Sequence, residues 1–197
     1  MTNEVCAIVL AAGQGSRYRA VAGTDQHKLL ARCLGLDGVE RSVLEQVLIG
    51  LRGVVDKCLL ITRPDYPEIS RLGLRYGCEV VLLDSAGMGD SIAAAVATAS
   101  YCRGWLVVLG DMPFILPDTL GKVIASLQDD CISVPVHQGE RGHPVGFGHK
   151  LGPALMTLTG DQGAKRLFQT SLVAVVEVDD PGVLWDVDVP EALIFKP

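Results

Sequence analysis

Val5-Cys-Ala-Ile-Val-Leu10-Ala-Ala-Gly13-Gln-Gly15-Ser16-Arg17 is the stretch from which the rest of the chain is read. Its first six residues are an apolar run of strand length. The run passes directly into a turn of small residues, where backbone amides can approach a ligand closely while Arg17 adds fixed positive charge. A strand that ends this way is a phosphate-binding design. Two better-known loops do not fit. A dinucleotide fingerprint needs a third glycine where Tyr18 stands, and a P-loop needs a Gly-Lys-Ser/Thr that this stretch lacks.

Outward from this strand the pattern repeats. Apolar runs recur at 58–62, 79–83, 105–109, 132–136 and 173–178, with helix-like segments between them. Ser42-Val-Leu-Glu45 is a capping-box pattern that opens a helix running to about residue 52, an Ala-rich helix is expected over 90–99, and a third over 116–127 has Pro117 in its first turn. Alternating strand and helix predict an α/β fold, a doubly wound, mostly parallel sheet flanked by helices, with ligands at the carboxyl ends of the strands. No repeat, low-complexity tract or linker interrupts the pattern, so residues 1–197 read as a single domain. The stretch 136–152, rich in Gly and His, reads as loops and a short hairpin over one end of the sheet.

Composition agrees and excludes several functions. The chain is 49% apolar, 20% charged and only 5% aromatic, as expected where Val-, Leu- and Ala-rich strands are covered on both faces. A formal charge of −6 argues against nucleic acid or an anionic membrane as partner, since such faces need clustered Lys and Arg. The N-terminus has no basic and apolar leader, and no apolar run approaches the roughly 18 residues of a membrane span, which predicts a cytoplasmic protein. Six cysteines (Cys6, Cys33, Cys58, Cys78, Cys102 and Cys131) without a CxxC pair read as buried reduced thiols.

Charged and polar residues after the strands carry the chemistry. Lys28 follows the glycine turn, and its flexible ammonium can fold back on the same phosphates. Leu109-Gly110-Asp111-Met112-Pro113 puts a carboxylate on a strand's carboxyl edge, in a turn made rigid by Pro113. Asp186 and Asp188, two residues apart in an extended segment, point to one face, although Asp188 before Pro190 also suits a helix cap. Mg²⁺ takes one or two carboxylates together with phosphate oxygens and water, a demand that Asp111 and Asp188 meet. Gly87-Met88-Gly89-Asp90-Ser91 stands at a helix start beside the glycine loop, where a base or ribose can sit, or where Asp90 or Ser91 acts as an N-cap. Arg141-Gly142-His143-Pro144 forms a loop suited to an acceptor phosphate or ring. No second His or Cys stands at ligand spacing from His143.

LAAGQGSR, GMGDS, GDMP, RGHPVGF, GDQGAKRL and DVDVPEAL occur in the order seen in molybdenum cofactor cytidylyltransferases, and the chain resembles that family over most of its length. The resemblance implies a Rossmann-like nucleotidyltransferase fold and transfer of CMP from CTP to the terminal phosphate of molybdenum-bearing molybdopterin, with release of pyrophosphate. The product would serve xanthine-dehydrogenase-like enzymes, reached through a molybdoenzyme or its chaperone. By this resemblance Leu10 and Ala11 bind the nucleotide, Ala12, Gly13, Gly15, Ser16 and Arg17 hold its triphosphate, and Lys28 offsets the charge. Gly87, Met88, Gly89 and Ser91 meet the base, Asp111 and Asp188 carry Mg²⁺, and Arg17, Lys28 and Asp111 are catalytic. Met112, Pro113, Arg141, Gly142, His143 and Pro144 meet the acceptor. Guanylyltransferase relatives typically have GPLAG at the base loop, so Met88 and Ser91 point to cytosine. The connection from Arg17 to Lys28 is longer than the family's usual spacing, and 34–41 departs from its Leu-x-Gly-x-Pro pattern. The alternatives are guanylyl transfer, nucleotidyl transfer to another phosphorylated acceptor, or a non-catalytic carrier of nucleotide or cofactor. A Rossmann oxidoreductase is disfavoured by Tyr18.

Overall fold

The computed structural model describes residues 2–23, 26–84 and 87–196. Along the chain come β1 (Val5–Leu10), α1 (Ser16–Ala22), the hairpin of β2 (Arg32–Leu34) and β3 (Glu40–Ser42), α2 (Val43–Leu51), β4 (Lys57–Thr62), α3 (Pro67–Arg75) and β5 (Glu79–Leu82). There follow α4 (Met88–Thr98), β6 (Gly104–Leu109), α5 (Pro117–Ala125), β7 (Cys131–His137), β8 (Glu140–Arg141), β9 (Val145–Gly148), α6 (Gly152–Leu155) and β10 (Leu172–Glu177). The main sheet has the order β10-β7-β9-β6-β1-β4-β5, with β8 paired to β7. β5, β4, β1 and β6 are parallel, β10 is parallel to β7, and β9 lies antiparallel to both β6 and β7. The fold is therefore the expected α/β arrangement, a mostly parallel sheet flanked by helices.

Strand periodicity sorts the core into two layers. Val5, Ala7 and Val9 of β1 pack into one cluster with Leu44, Leu48 and Leu51 of α2, Leu60 of β4 and Leu120 of α5. Cys6 and Ile8 pack into the other, with Ile92, Ala95 and Val96 of α4, Trp105 of β6 and Leu155 of α6. Alternate residues of one buried strand thus serve opposite faces, and such a strand reads as a continuous apolar run.

Helix boundaries follow their caps. Ser42 Oγ accepts from Glu45 N at 3.3 Å while a Glu45 carboxylate oxygen accepts from Ser42 N at 2.9 Å, completing the capping box on α2. α5 opens on Pro117 and stops at Ala125, two residues short of the expected end, with Ser126 as C-cap. α4 begins at Met88 with Gly87 as N-cap, so Asp90 and Ser91 lie inside its first turn and neither caps it. Asp188 does not cap either: the turn over Pro190–Leu193 has Val189 at its N-cap and no side-chain cap hydrogen bond. The stretch 136–152 contributes β9 to the sheet itself, because glycines let backbones come close at Gly104 and Gly148, which face each other in the β6–β9 ladder.

β1 has β4 on one side and β6 on the other. The chain leaves β1 for β4 and β5, then returns across it to β6, so the switch in winding lies between β1 and β6. In such sheets the crevice at the strands' carboxyl ends at that point is where ligands bind.

Candidate functional site

The crevice holds a cavity of about 570 Å³. Leu10, Ala11, Ala12, Gly13, Gly15 and Ser16 form one wall, Lys28 and Asp111 a second, and Gly87, Met88 and Ser91 a third. Gly15 has φ +61°, a left-handed conformation that glycine adopts at no steric cost, and it starts α1 there. The Lys28 stem runs beside Gly15, with carbons about 3.5 Å from where a Cβ would sit. Lys28 begins a short turn over Lys28–Leu30 that His27 caps, its Nδ1 accepting from Leu29 N at 3.3 Å. The His27 ring meets Tyr66 edge-on at 4.7 Å. The long connection from Arg17 to Lys28 thus still delivers Lys28 to the cavity; within it, Thr24 and Asp25 lie outside the described residues.

Carboxylates far apart in sequence converge on that lysine. Lys28 Nζ donates to Asp111 Oδ2 at 2.5 Å and to Asp188 Oδ1 at 3.0 Å, and Arg17 donates to Asp188 Oδ2 at 2.5 Å. The Lys28 side chain is 11% exposed, Asp111 19% and Asp188 29%, so this is a half-dry network and stronger than a surface ion pair. Burial pulls the Lys28 ammonium toward losing its proton, but the charges and hydrogen bonds of Asp111 and Asp188 outweigh it and raise its pKa above the usual lysine value. Burial acts to raise the Asp188 carboxyl, while Lys28 and Arg17 together hold it below the ordinary range. Among the described residues Asp186 has no ion-pair partner, and the Lys28 charge lowers its carboxyl only weakly. Burial, then the charges of Asp188 and Asp111, push its carboxyl up. Hard oxygen donors meeting at one point fit a divalent cation of the Mg²⁺ type, which needs few protein ligands when phosphate supplies the rest. Among the described residues no cluster of three or more His, Cys, Asp and Glu forms a closed metal cage.

The remaining anticipated residues fall in three places. Arg17 does not line the cavity; its side chain is 81% exposed and is held on Asp188. Gly89 is buried behind the wall, against Thr159 and Gly160. Among the residues expected at an acceptor, Met112 is 4% exposed and packs in the core beside Phe114, and Pro113 is buried too, so both support the Asp111 turn from beneath and offer no open surface. Arg141 is exposed on β8, its guanidinium 5.5 Å from the Phe168 ring. Gly142 is buried against Val183. His143 donates its backbone N–H to Val183 O at 2.9 Å and precedes buried Pro144 through a cis peptide bond. Its buried Nδ1 has no partner among the described residues, and burial, opposed by the Asp111 charge, keeps the ring below the usual histidine pKa. Burial thus favours the neutral ring, close enough to Asp111 to feel its charge.

Two charged residues on the cavity wall escaped the sequence reading. Arg63 directly follows β4, with Nε 3.1 Å from Asp65 and a terminal nitrogen 2.8 Å from Asp84. Its position after a parallel strand was the signal that could have found it. Asp161 reaches the cavity from a turn between α6 and β10, where strand periodicity carries no information.

Known proteins share this architecture. The chain is 27% identical over 151 residues to the purine catabolism protein PucB of Bacillus subtilis, covering 70% of this chain and 73% of that one. It is 31% identical over 119 residues to nicotine blue oxidoreductase of Paenarthrobacter nicotinovorans, covering 55% and 58%. A nucleotidyl transferase from Methanothermobacter thermautotroptrophicus superposes with a TM-score of 0.80 at 25% identity, over 97% of this chain and 94% of that one. With residues 7–176 matching the MobA-like NTP transferase domain, the chain belongs to that family of nucleotidyltransferases.

Proposed function

We propose that this chain transfers CMP from CTP to the terminal phosphate of molybdenum-bearing molybdopterin, releasing pyrophosphate and forming the dinucleotide cofactor. The observation that carries the reading is the meeting of Lys28, Asp111 and Asp188 beside the glycine turn, with Lys28 and Asp111 lining one cavity. The amides of residues 12–16 and the start of α1 would cradle the triphosphate. Mg²⁺ on Asp111 and Asp188 would neutralise charge on the triphosphate and the departing pyrophosphate. Lys28 then leaves the carboxylates for the phosphates, a change of partner that its unbranched stem along Gly15 permits. Arg17 adds positive charge beside Asp188. An acceptor phosphate oxygen attacks the α-phosphorus in line, and the residues' work is positioning and charge stabilisation, with no covalent intermediate on the protein.

Met88 and Ser91 at the base wall support cytosine, and Arg141 with neutral His143, close to Asp111, supports an acceptor carrying phosphate and a ring. Met112 and Pro113 act through the Asp111 turn. Residues 1–197 work as one domain in the cytoplasm, and no helix among the described residues is long and apolar enough to cross a membrane. Likeness to a protein named for purine catabolism fits a product destined for xanthine-dehydrogenase-like enzymes. Likeness to a named oxidoreductase does not extend to a dinucleotide loop here, because Tyr18 fills the third glycine position and is 4% exposed.

The test is pyrophosphate release with Mg²⁺ and CTP, GTP, ATP or UTP, with and without molybdopterin. Acceptor-dependent release with CTP is expected. Release with GTP alone overturns the reading of Met88 and Ser91, and nucleotide binding with no release overturns transfer to molybdopterin in favour of another acceptor or a non-catalytic carrier.

A further inference from the structure

The segment Gly160-Asp161-Gln162-Gly163 is a motif for which the catalytic scheme above has no use. It forms a tight turn bracketed by two glycines in left-handed backbone, Gly160 at φ +65° and Gly163 at φ +53°. The turn is clamped to the start of α4. Asp90 accepts from Gly160 N at 3.1 Å, and Gly89 lies so close that a Cβ there would be 2.8 Å from Thr159 O. Gly87 is closer still, since a Cβ would run into Gly160 and the Asp161 carboxylate, and Met88 covers Gly163. The small residues of the base wall are thus small because this turn is pressed against them. Held this way, Asp161 lines the cavity together with Gly87 and Met88, with its carboxylate against Gly87. Among the described residues its carboxylate has no hydrogen-bond or ion-pair partner.

The geometry points to Asp161 as the residue that discriminates the nucleobase, by accepting a hydrogen bond from an exocyclic amino group. The inference rests on the nucleotidyl-transfer reading and gives its base wall a chemical criterion. A carboxylate accepts and cannot donate. It attracts the 4-amino group of cytosine and repels the 4-carbonyl oxygen that uracil has in its place, so selectivity arises as much from rejecting the wrong base as from binding the right one. A carboxylate near the start of α4 would also be favourable as a partner for the helix dipole. That role is blind to the base, and the test separates the two.

Binding of Mg²⁺–CTP and Mg²⁺–UTP is measured by calorimetry on the whole chain without acceptor. Wild type is expected to prefer CTP at least about tenfold. In Asp161→Asn, whose amide can also donate, the preference falls to within about threefold with the melting temperature unchanged. Asp161→Ala loses affinity for CTP without gaining UTP. N4,N4-dimethyl-CTP, which lacks the donor, binds wild type no better than UTP, an arm that needs no variant to fold. Equal binding of CTP and UTP by wild type, or an unchanged preference in Asp161→Asn, overturns the inference and leaves nucleotidyl transfer standing. Failure of every nucleotide to bind overturns the proposed function instead. If GTP binds and CTP does not, the cytidine assignment falls, and Asp161 is tested by GTP against ITP, which lacks the 2-amino group; equal affinity for those two overturns the inference.

Discussion

The two ends of the central sheet are built from the same strands and have opposite characters. At the carboxyl ends of β1, β4 and β6 lies the cavity of about 570 Å³, lined by Lys28 and Asp111, and Lys28 pairs there with both Asp111 and Asp188. At the amino end, beneath Leu48 and Leu51, lies a recess of about 150 Å³ in which the Cys58 and Cys78 sulfurs sit 3.3 Å apart. Charges there are spent on structure. Asp56 accepts from Val5 N at 2.9 Å, and Lys57 bridges neighbouring strands to Glu79 at 2.7 Å. The strands therefore do not decide where chemistry happens. What differs is whether the turns that follow them bring unlike charges to a shared empty space or pair them off locally.

Asp111→Ala is the strongest way to break the comparison. It removes a charge from the carboxyl end and almost no core volume, so turnover should fall at least about a thousandfold. The melting temperature should move by only a few degrees, since Lys28 keeps Asp188. Turnover close to wild type with Mg²⁺ would remove Asp111 from the chemistry. Leu51→Ala is the complementary cut at the other end. Leu51 is 3% exposed and borders the amino-end recess, so its loss should cost about 3 kcal/mol in denaturant unfolding while turnover per folded molecule is unchanged. A loss of turnover as deep as that of Asp111→Ala would mean that the two ends are not separable.

The sequence was most legible where burial is complete. β1 and β6 are covered on both faces and read as unbroken apolar runs, and the capping box announced α2. α1 was missed because Ser16-Arg-Tyr-Arg-Ala-Val-Ala buries only Tyr18, leaving no apolar stripe to read. β9 was missed because its glycines, needed for close packing, are what a strand pattern counts against it. In the candidate site, Lys28 and Asp111 were recognisable one at a time from what surrounds them. Their meeting was not, because 83 residues separate them and Lys28 stands 160 residues from Asp188, and no local pattern records a contact made through the sheet.

The smallest effect probes the same contrast from the unbalanced side of the network. Asp186 carries a raised pKa, from burial and then from Asp188 and Asp111, whereas Glu79 at the amino end faces its own lysine. A carboxyl that holds its proton more tightly when folded costs nothing below the ordinary value of 3.8, where both states are protonated. The cost appears as pH rises through the carboxyl range toward the folded pKa, and it persists at pH 7. Asp186→Asn keeps the shape and removes the charge, so it should raise the melting temperature by roughly 2 °C at pH 7, with the gain shrinking toward pH 4. The same logic requires the gain to shrink at pH 7 when Mg²⁺ is present without nucleotide, because a cation placed among these carboxylates relieves the repulsion that the substitution removes. A gain that is constant across pH and indifferent to Mg²⁺ would mean that Asp186 does not feel Asp111 and Asp188, and the carboxyl end would then hold two acidic groups in communication and not three.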